Sequence, residues 1–349
     1  MSCVFSQDKE RMKGNYFDLP ISGEKQGSRR RRGSYIYGII NSEDQNPGDS
    51  LIAYRDLAVV VREAEFRDYE TLSKEEVIKE LISHQQTIEK IMENFGSVLP
   101  VKFGTILKNE EEVSSALEKG YSFLKEALRK MEAKIELDLV CFWNEQKAAQ
   151  LVFQKSKRVQ TLQKNLSKKR KVSLEEKIAL GKVIAKHLET QKEKISNQIL
   201  RALKRVAVEN CPHVLADVNM LLNQAFLVEK ENEESFNHVL NQLDSKLKEL
   251  VNFRLVGPLP PYSFATVVIE LLDKEEVEKA KKLLKFNGEI NKENLKKAYD
   301  KLAFELHPDY GGNSIEFELV TQGYKLLRKY VEHGLVNLYL YQWKEQGEL

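Results

Sequence analysis

Few residues in this 349-residue chain have types and spacings that support chemistry. The six histidines form no HExxH pair, and no GxxxxGK[ST] or strand-linked GxGxxG loop could hold a nucleotide. Cys211-Pro212-His213 offers two metal-ligating residue types, but no second pair at zinc-finger spacing accompanies it, which favours a structural cysteine and a surface histidine. No GxSxG nucleophile setting occurs. We therefore expect a protein that is not an enzyme and that holds no metal and no cofactor.

The clearest polar constellation is His307-Pro308-Asp309, which stands between two helical patterns. Asn291 is a suitable cap for the helix before it. Apolar residues recur at the helical period in three successive segments: Val277, Ala280, Leu283 and Leu284, then Leu295, Ala298, Tyr299, Leu302, Ala303 and Leu306, then Phe317, Val320, Tyr324 and Leu327. The tripeptide is therefore expected in a short loop between two helices.

This order of helix, basic helix, His-Pro-Asp loop and helix resembles the J-domain of DnaJ-type co-chaperones. The resemblance implies a loop that stimulates ATP hydrolysis by an Hsp70 partner, beside a positive helix face that meets an acidic surface of that partner. Such docking weakens as salt screens the charges. The residues that the resemblance assigns to Hsp70 binding are His307, Pro308, Asp309, Lys296, Lys297 and Lys301.

The J-like pattern also departs from the family. Asp300 and Glu305 dilute the basic face, and Tyr310 replaces the usual basic residue after the tripeptide. A degenerate module that is kept only for packing or docking is therefore the alternative. Residues 331–349 lie beyond a typical J-domain, and we expect them to form an amphipathic segment that packs back or binds a partner.

Length and composition set the frame around this module. A chain of this length is expected to form two or three domains. Its 55 basic and 53 acidic residues are nearly balanced, so no global preference for nucleic acid is indicated. No apolar run approaches the ~20 residues of a membrane span, and no secretory signal is visible. The three cysteines, far apart and odd in number, fit reduced thiols, so we expect a cytoplasmic protein.

Hydrophobic periodicity predicts an α+β fold. Residues 34–143 show the order β-β-α-β-α-β, which resembles a ferredoxin-like domain, with a capping box at Ser73-x-x-Glu76 and one strand over Leu99–Leu107. Residues 144–272 predict a second α+β domain with a long helical hairpin, whose first helix spans 148–171. Residues 273–349 predict an all-helical J-like module, and residues 1–33 a flexible basic tail.

Four blocks in the first 272 residues resemble the gas vesicle protein F/L family (GvpL/GvpF). They are Tyr35–Ile40, Leu99–Thr105, Glu136–Val140 and Leu255–Phe264, and they occur in the family's order. The last block contains Gly257-Pro258 and Pro260-Pro261, which cannot lie inside a helix. We interpret it as a rigid turn between two buried strands. It carries the most specific part of the resemblance.

The resemblance implies an accessory or minor structural protein of gas vesicles that binds the shell protein and other accessory proteins during assembly. An apolar groove or sheet edge would suit such binding. Phe103, Tyr262 and Phe264 are the candidate shell contacts, with core packing as their alternative role. Three functions stay open: an assembly factor that recruits Hsp70, a structural vesicle component with a vestigial J-like tail, and a general Hsp70 co-chaperone with an α+β client-binding region.

Two basic runs, at residues 29–32 and 155–171, admit two interpretations. The simpler one is a solvated tail and a solvated helix end. The functional one is contact with an acidic protein or nucleic acid. No aromatic residue interleaves the charges of the second run, so a base-stacking surface is not expected there.

Overall fold

The computed structural model describes residues 32–42, 50–67, 69, 71–168, 172–286 and 289–341. Almost all of the predicted tail (1–33), part of the second basic run (169–171) and the last eight residues lie outside these ranges. The described residues form two antiparallel sheets, a helical hairpin and a helical module that is inserted between two paired strands.

The first sheet is built around one central strand. It contains β1 (Arg32–Asn41), β2 (Leu51–Tyr54), β3 (Leu57–Glu65), β4 (Leu99–Pro100) and β5 (Ile106–Leu107), together with helices α1 (Lys74–Phe95) and α2 (Glu110–Met131). The strand order is β2-β3-β1-β4, and β5 also pairs with β1. Ser73 caps α1, and Glu76 returns the bond to the Ser73 backbone, so the predicted capping box is confirmed.

The two helices lie on opposite faces of this sheet. Tyr35, Tyr37 and Ile40 of β1 belong to the core that α1 covers. Ile36 and Ile39 belong to the core that α2 covers. A ferredoxin-like sandwich has both helices on one face of its sheet. The expectation that residues 34–143 form a ferredoxin-like domain is therefore wrong. The physical reason is visible in the sequence, because a strand buried on both faces needs a continuous apolar run rather than an alternating one.

The stretch Leu99–Leu107, expected as one strand, forms two strands of two residues with a turn between them. Gly104 occupies the turn with a φ of +83°, a value that side chains disfavour. Its amide donates to the Tyr35 hydroxyl at 3.3 Å, which fixes the turn over β1. The turn therefore interrupts the apolar run that predicted a single strand.

The second sheet has the order β7-β8-β6-β9. Its strands are β6 (Lys134–Trp143), β7 (Glu209–Pro212), β8 (Met220–Glu229) and β9 (Val251–Leu259), and helix α6 (Glu233–Leu247) packs on it. The last strand of the order expected over residues 34–143 forms as β6, but it lies inside this sheet and not in the first one. Gly257-Pro258 lies inside β9 and not in a turn, and β9 is a partly exposed edge strand rather than a buried one.

The predicted helical hairpin connects β6 with β7. It consists of α3 (Glu145–Lys155), α4 (Lys157–Ser167) and α5 (Leu174–Leu203). The single helix expected over 148–171 is two helices, because Ser156 adopts an extended conformation and caps α4 by accepting from the Val159 amide. A helix of 30 residues is about 45 Å long, so α5 extends well beyond the sheet.

The remaining helices are not a free C-terminal tail. A short helix, α7 (Tyr262–Ala265), leads into β10 (Val267–Leu271). Three helices follow, α8 (Lys274–Leu283), α9 (Lys292–Leu306) and α10 (Ser314–His333), and then β11 (Val336–Leu340) returns antiparallel to β10. The expectation of an all-helical end is therefore wrong. We call α8, α9 and α10 the inserted module, because both of its ends are fixed by this strand pair.

The β10–β11 pair extends the first unit. The Lys102 amide donates to the Val267 carbonyl at 2.9 Å, next to a parallel bridge between Val101 and Val267. Leu338 packs on α2 at Gly120, where a Cβ would lie 3.0 Å from a Leu338 methyl group. Strand β11 thus packs back on the two-sheet part of the chain outside the inserted module, which we call the body. This is one of the two roles expected for residues 331–349, of which residues 342–349 lie outside the described ranges.

Candidate functional site

The tripeptide His307-Pro308-Asp309 forms the connection between α9 and α10. His307 Nδ1 accepts from the Asp309 amide at 3.2 Å, and Pro308 begins a single 3-10 turn. Gly312 allows the two helices to approach, because a Cβ there would lie 2.2 Å from the Leu306 carbonyl carbon. The Asp309 side chain is exposed and the imidazole of His307 is partly exposed, so both are open to a partner.

The inserted module has its own core. The stripe residues Val277, Leu295, Leu302, Val320 and Leu327 are all buried within it, as the helical period predicted. Lys296, Lys297 and Lys301 lie exposed on α9, on the side left free by that core. Lys297 Nζ binds Glu293 Oε1 at 2.7 Å, an exposed pair that contributes little to stability. The three lysines and the tripeptide therefore share one helical hairpin.

Two exposed aromatic residues adjoin the tripeptide. Phe304 is 67% exposed and Tyr310 is 70% exposed, and their ring centroids are 5.0 Å apart. The His307 ring lies 5.8 Å from that of Tyr310. From the sequence, Tyr310 is noted only because it replaces the usual basic residue after the tripeptide, and Phe304 is not singled out. The signal was present, since Phe304 falls outside the apolar stripe of α9 and has no core position to fill.

Phe103 packs beside a buried histidine. Its ring centroid lies 4.8 Å from Tyr69 and 5.5 Å from His84. His84 Nε2 contacts the Val101 carbonyl at 3.2 Å, and a carbonyl only accepts, so Nε2 carries the proton. Nδ1 then accepts from the Tyr35 hydroxyl at 2.9 Å. Burial lowers the pKa of His84 to about 4, and the residue is a neutral part of the core.

Tyr262 and Ser263 connect the two sheets. The Tyr262 hydroxyl donates to the Gln85 carbonyl on α1 at 3.3 Å. The next residue, Ser263, contacts the second sheet instead. Its amide and its hydroxyl donate to the two carboxyl oxygens of Glu136 on β6, each at 2.7 Å. His213 Nε2 lies 3.0 Å from the Ser263 hydroxyl. We call Glu136, Ser263 and His213 the clasp.

The clasp is buried and carries shifted pKa values. Glu136 is 1% exposed, and burial together with the nearby Asp138 charge raises its pKa well above the ordinary range. Burial raises the pKa of Asp138 to about 6. The two carboxyl groups lie on the same side of β6, two residues apart, so their charges disfavour each other. Gly257 of β9 approaches at this point, since a Cβ would lie 2.8 Å from the Glu136 carbonyl oxygen.

The hydrogen bonds of the clasp indicate a structural role. The Ser263 hydroxyl gives its proton to Glu136, so it accepts from His213 and is not activated as a nucleophile. Ser263 is itself buried, with little access for a substrate. The sequence interpretation singled out neither Glu136 nor Ser263 as a site residue. Phe264, the remaining predicted contact, is half-buried beside this clasp.

The described ranges hold neither a metal-binding cluster nor a membrane-spanning helix. No three His, Cys, Asp or Glu side chains within them converge so as to hold a metal ion. None of the described helices combines the length and apolar character that crossing a bilayer requires.

A cavity of about 240 Å³ beside Arg62, Arg67 and Glu80 has a strongly polar lining.

Comparison with known proteins gives one consistent relationship. The family model described as gas vesicle synthesis protein GvpL/GvpF matches residues 33–266. Gas vesicle protein F of a Nostoc species is 29% identical over 191 residues, which cover 54% of this chain and 78% of that protein. Gas vesicle protein L1 of Halobacterium salinarum is 23% identical over 261 residues, covering 67% and 90%.

Solved structures agree with these sequences. The crystal structure of gas vesicle protein GvpF from an Anabaena species matches with a TM-score of 0.54 at 27% identity, covering 67% of this chain and 98% of that one. The GvpF structure from Microcystis aeruginosa matches in fold with a TM-score of 0.50. The clasp lies within the residues that the family model matches, whereas the inserted module lies beyond them. Because that model spans more than half of the sequence, the chain belongs to the gas vesicle synthesis protein GvpL/GvpF family.

Proposed function

We propose that this chain is an assembly factor that binds the gas vesicle shell protein, alongside other accessory proteins, and recruits an Hsp70 chaperone to it. Its site of action is then the forming vesicle in the cytoplasm. Family membership supports the part in vesicle formation. The observation that supports Hsp70 recruitment is the exposed His307-Pro308-Asp309 turn at the end of a two-helix hairpin, beside three exposed lysines.

The position of the turn supports its use as a docking site. Helix α10 has 20 residues and therefore spans about 30 Å between the turn and the β10–β11 pair. A partner at His307 can bind without touching the first sheet. The lysines Lys296, Lys297 and Lys301 would attract an acidic partner surface, and the attraction would weaken in salt.

In this proposal the chain catalyses no reaction itself. ATP hydrolysis takes place on the Hsp70, and the His307–Asp309 turn stimulates it. The coupling would let one protein hold an aggregation-prone shell subunit while the chaperone acts on it. Two anchor strands, β10 and β11, would fix the recruiting module to the body that holds the subunit.

We propose Phe103, Tyr262 and Phe264 as contributors to shell-protein contact. Each of the three residues is half-buried, so each keeps part of its surface open to a partner. Phe103 packs against Tyr69 and the Tyr262 hydroxyl donates to the Gln85 carbonyl, which would hold these two rings in fixed positions. Replacing Phe264 with Ser should weaken retention of the purified shell protein in a pull-down, while the His307→Gln variant should retain it fully.

The decisive experiment is vesicle formation with the His307→Gln variant. We expect wild-type protein to support vesicles and to raise the ATPase rate of a purified Hsp70, and we expect the variant to lose both activities. Lys292→Gln, an exposed change at the opposite end of the same helix, is the matched control and should behave as wild type.

Two outcomes would favour the other functions. Normal vesicle formation with His307→Gln would contradict recruitment and indicate a structural vesicle component with a vestigial module. Equal binding of the shell protein and of unrelated unfolded proteins would contradict shell specificity. It would indicate a general co-chaperone.

A further inference from the structure

An apolar groove outside the sites above lies between α5 and the loop that joins β7 to β8. It has a volume of about 470 Å³. Val214, Leu215 and Val218 of the loop are exposed, and Val218 reaches 86%. Lys192 of α5 donates to the Val218 carbonyl at 3.3 Å and holds the loop beside the helix. Three large apolar side chains clustered in water indicate a surface that a partner covers.

The rim of this groove is acidic. Glu189 and Glu193 stand one helical turn apart on α5, and Asp217 lies on the loop opposite. Lys192 is the one basic residue among the described residues of the lining, and its ammonium group already binds the loop carbonyl. An apolar floor with an acidic rim selects an occupant with apolar side chains flanked by basic ones.

The same chain carries such a segment at the far end of the hairpin. Leu174 is 73% exposed and Ile178 is 48% exposed at the start of α5. The described residues of this segment, 164–168 and 172–178, include three lysines and two glutamates. Lys164 and Lys168 are exposed at the end of α4, the helix that precedes α5 in the chain. We call residues 164–168 and 172–178 the hairpin tip.

The hairpin tip cannot fill the groove of its own chain. Both belong to α5, a continuous helix whose length fixes their separation. Ile178 and Glu189 are 11 positions apart, or about 16 Å along the axis. Closing that distance would require breaking the helix, at a cost in hydrogen bonds that a surface contact does not offset. The tip can therefore reach such a groove only on a second copy.

We propose that the groove of one copy binds the hairpin tip of a second copy. The two surfaces differ, so the contact is heterologous, and each bound copy still has a free groove or a free tip. Chains can therefore add head to tail. The inference does not depend on Hsp70 recruitment, because no residue of the inserted module takes part. The inference concerns the contact between two copies of the chain, which the proposed binding of the shell protein does not specify.

Charge reversal tests this arrangement directly. We expect the wild-type mass measured by sedimentation or light scattering to rise at least twofold with concentration, and to fall back in high salt. Glu189→Lys with Glu193→Lys blocks the groove, and Lys164→Glu with Lys168→Glu blocks the tip. Each double variant alone should stay monomeric. The control, Glu93→Lys with Glu118→Lys, makes the same change in net charge as the groove variant at exposed positions elsewhere and should associate as wild type.

Mixing the two blocked variants separates this contact from any symmetric one. One variant keeps a working tip and the other a working groove, and their two reversed surfaces also carry opposite charges, so the mixture should associate although neither variant does so alone. A chain with all four reversals should associate again, because both charges are inverted. Val218→Ser should weaken the pair about tenfold through lost apolar contact.

Three results would overturn the proposal. The first is a wild-type chain that stays monomeric at every accessible concentration. The second is a mixture of the blocked variants that does not pair although wild type associates, which would place the contact on another surface. The third is a monomeric chain that retains purified shell protein through Val218, which would assign the groove to that partner.

Discussion

The body that the family shares and the inserted module use similar polar residues in opposite ways. In the body, His84, Glu136 and Ser263 are buried, and their hydrogen bonds are made within the chain. In the module, His307 and Asp309 lie at a turn that faces solvent. Residue type alone therefore does not mark a functional site. The body uses its polar groups to join two sheets, whereas the module leaves them exposed to solvent.

The largest effect should come from removing the acceptor of the clasp. Glu136→Ala leaves the Ser263 amide and hydroxyl buried without their partner, so we expect a loss of about 4 kcal/mol in the free energy of unfolding. Urea denaturation measures it. Ser263→Ala, which keeps the amide, should lose only about 1 kcal/mol. Equal losses in both variants would mean that the carboxylate does not hold the joint.

The body should also respond to pH in two opposing ways. His84 has a pKa of about 4 when folded and 6.5 ordinarily, so the unfolded chain binds more protons between these values. Its contribution is full above pH 6.5 and is lost as pH falls to 4, by roughly 3 kcal/mol. Asp138 has a pKa of about 6 when folded and 3.8 ordinarily. Its contribution is full below pH 3.8 and is lost as pH rises to 6, by a similar amount.

Single substitutions separate these two slopes. His84→Gln should make stability fall more steeply as pH rises from 4 to 6, because only the carboxyl contribution remains. Asp138→Asn removes one of the two raised carboxyl groups and leaves Glu136, so stability should fall less, or rise more, than in the wild type over the same range. Denaturation midpoints at several pH values are the measurement. The Phe304→Ser variant, which changes no titratable group, is the control from the module and should follow the wild-type curve. A variant of either buried residue that also followed the wild-type curve would contradict the slope assigned to that residue.

The inserted module and the body also differ in how much of their structure can be predicted from the sequence. The module depends on contacts between neighbouring helices, and its stripe from Leu295 to Leu327 could be assigned from periodicity alone. The clasp joins Glu136 to Ser263 across 127 positions, and no local pattern reports such a pairing. The transfer of β6 to the second sheet was missed for the same reason, since strand pairing is decided by partners far along the chain.

A smaller effect should appear where the module is anchored to the body. Gly120→Val would place methyl groups against Leu338, whose side chain already lies 3.0 Å from an added Cβ. We expect β11 to separate from α2, with a loss of about 1–2 kcal/mol. Hydrogen exchange at residues 336–340 should become faster while the core of the module stays protected. Gly120→Ala should have a weaker effect, and unchanged exchange in both would show that α2 does not hold β11.

The smallest effect on stability should come from the most exposed ring of the module. Phe304 is 67% exposed and makes its ring contact with Tyr310, which is itself exposed, so Phe304→Ser should change the free energy of unfolding by less than ~0.5 kcal/mol. The matched change in the body, Phe226→Ser, removes a fully buried ring and should cost several times more. If Phe304→Ser nevertheless lowers the stimulation of Hsp70, then the ring serves a partner and not the fold. A loss of stability as large as that of Phe226→Ser would instead make Phe304 part of the core, and the contrast between the two regions would not hold at this position.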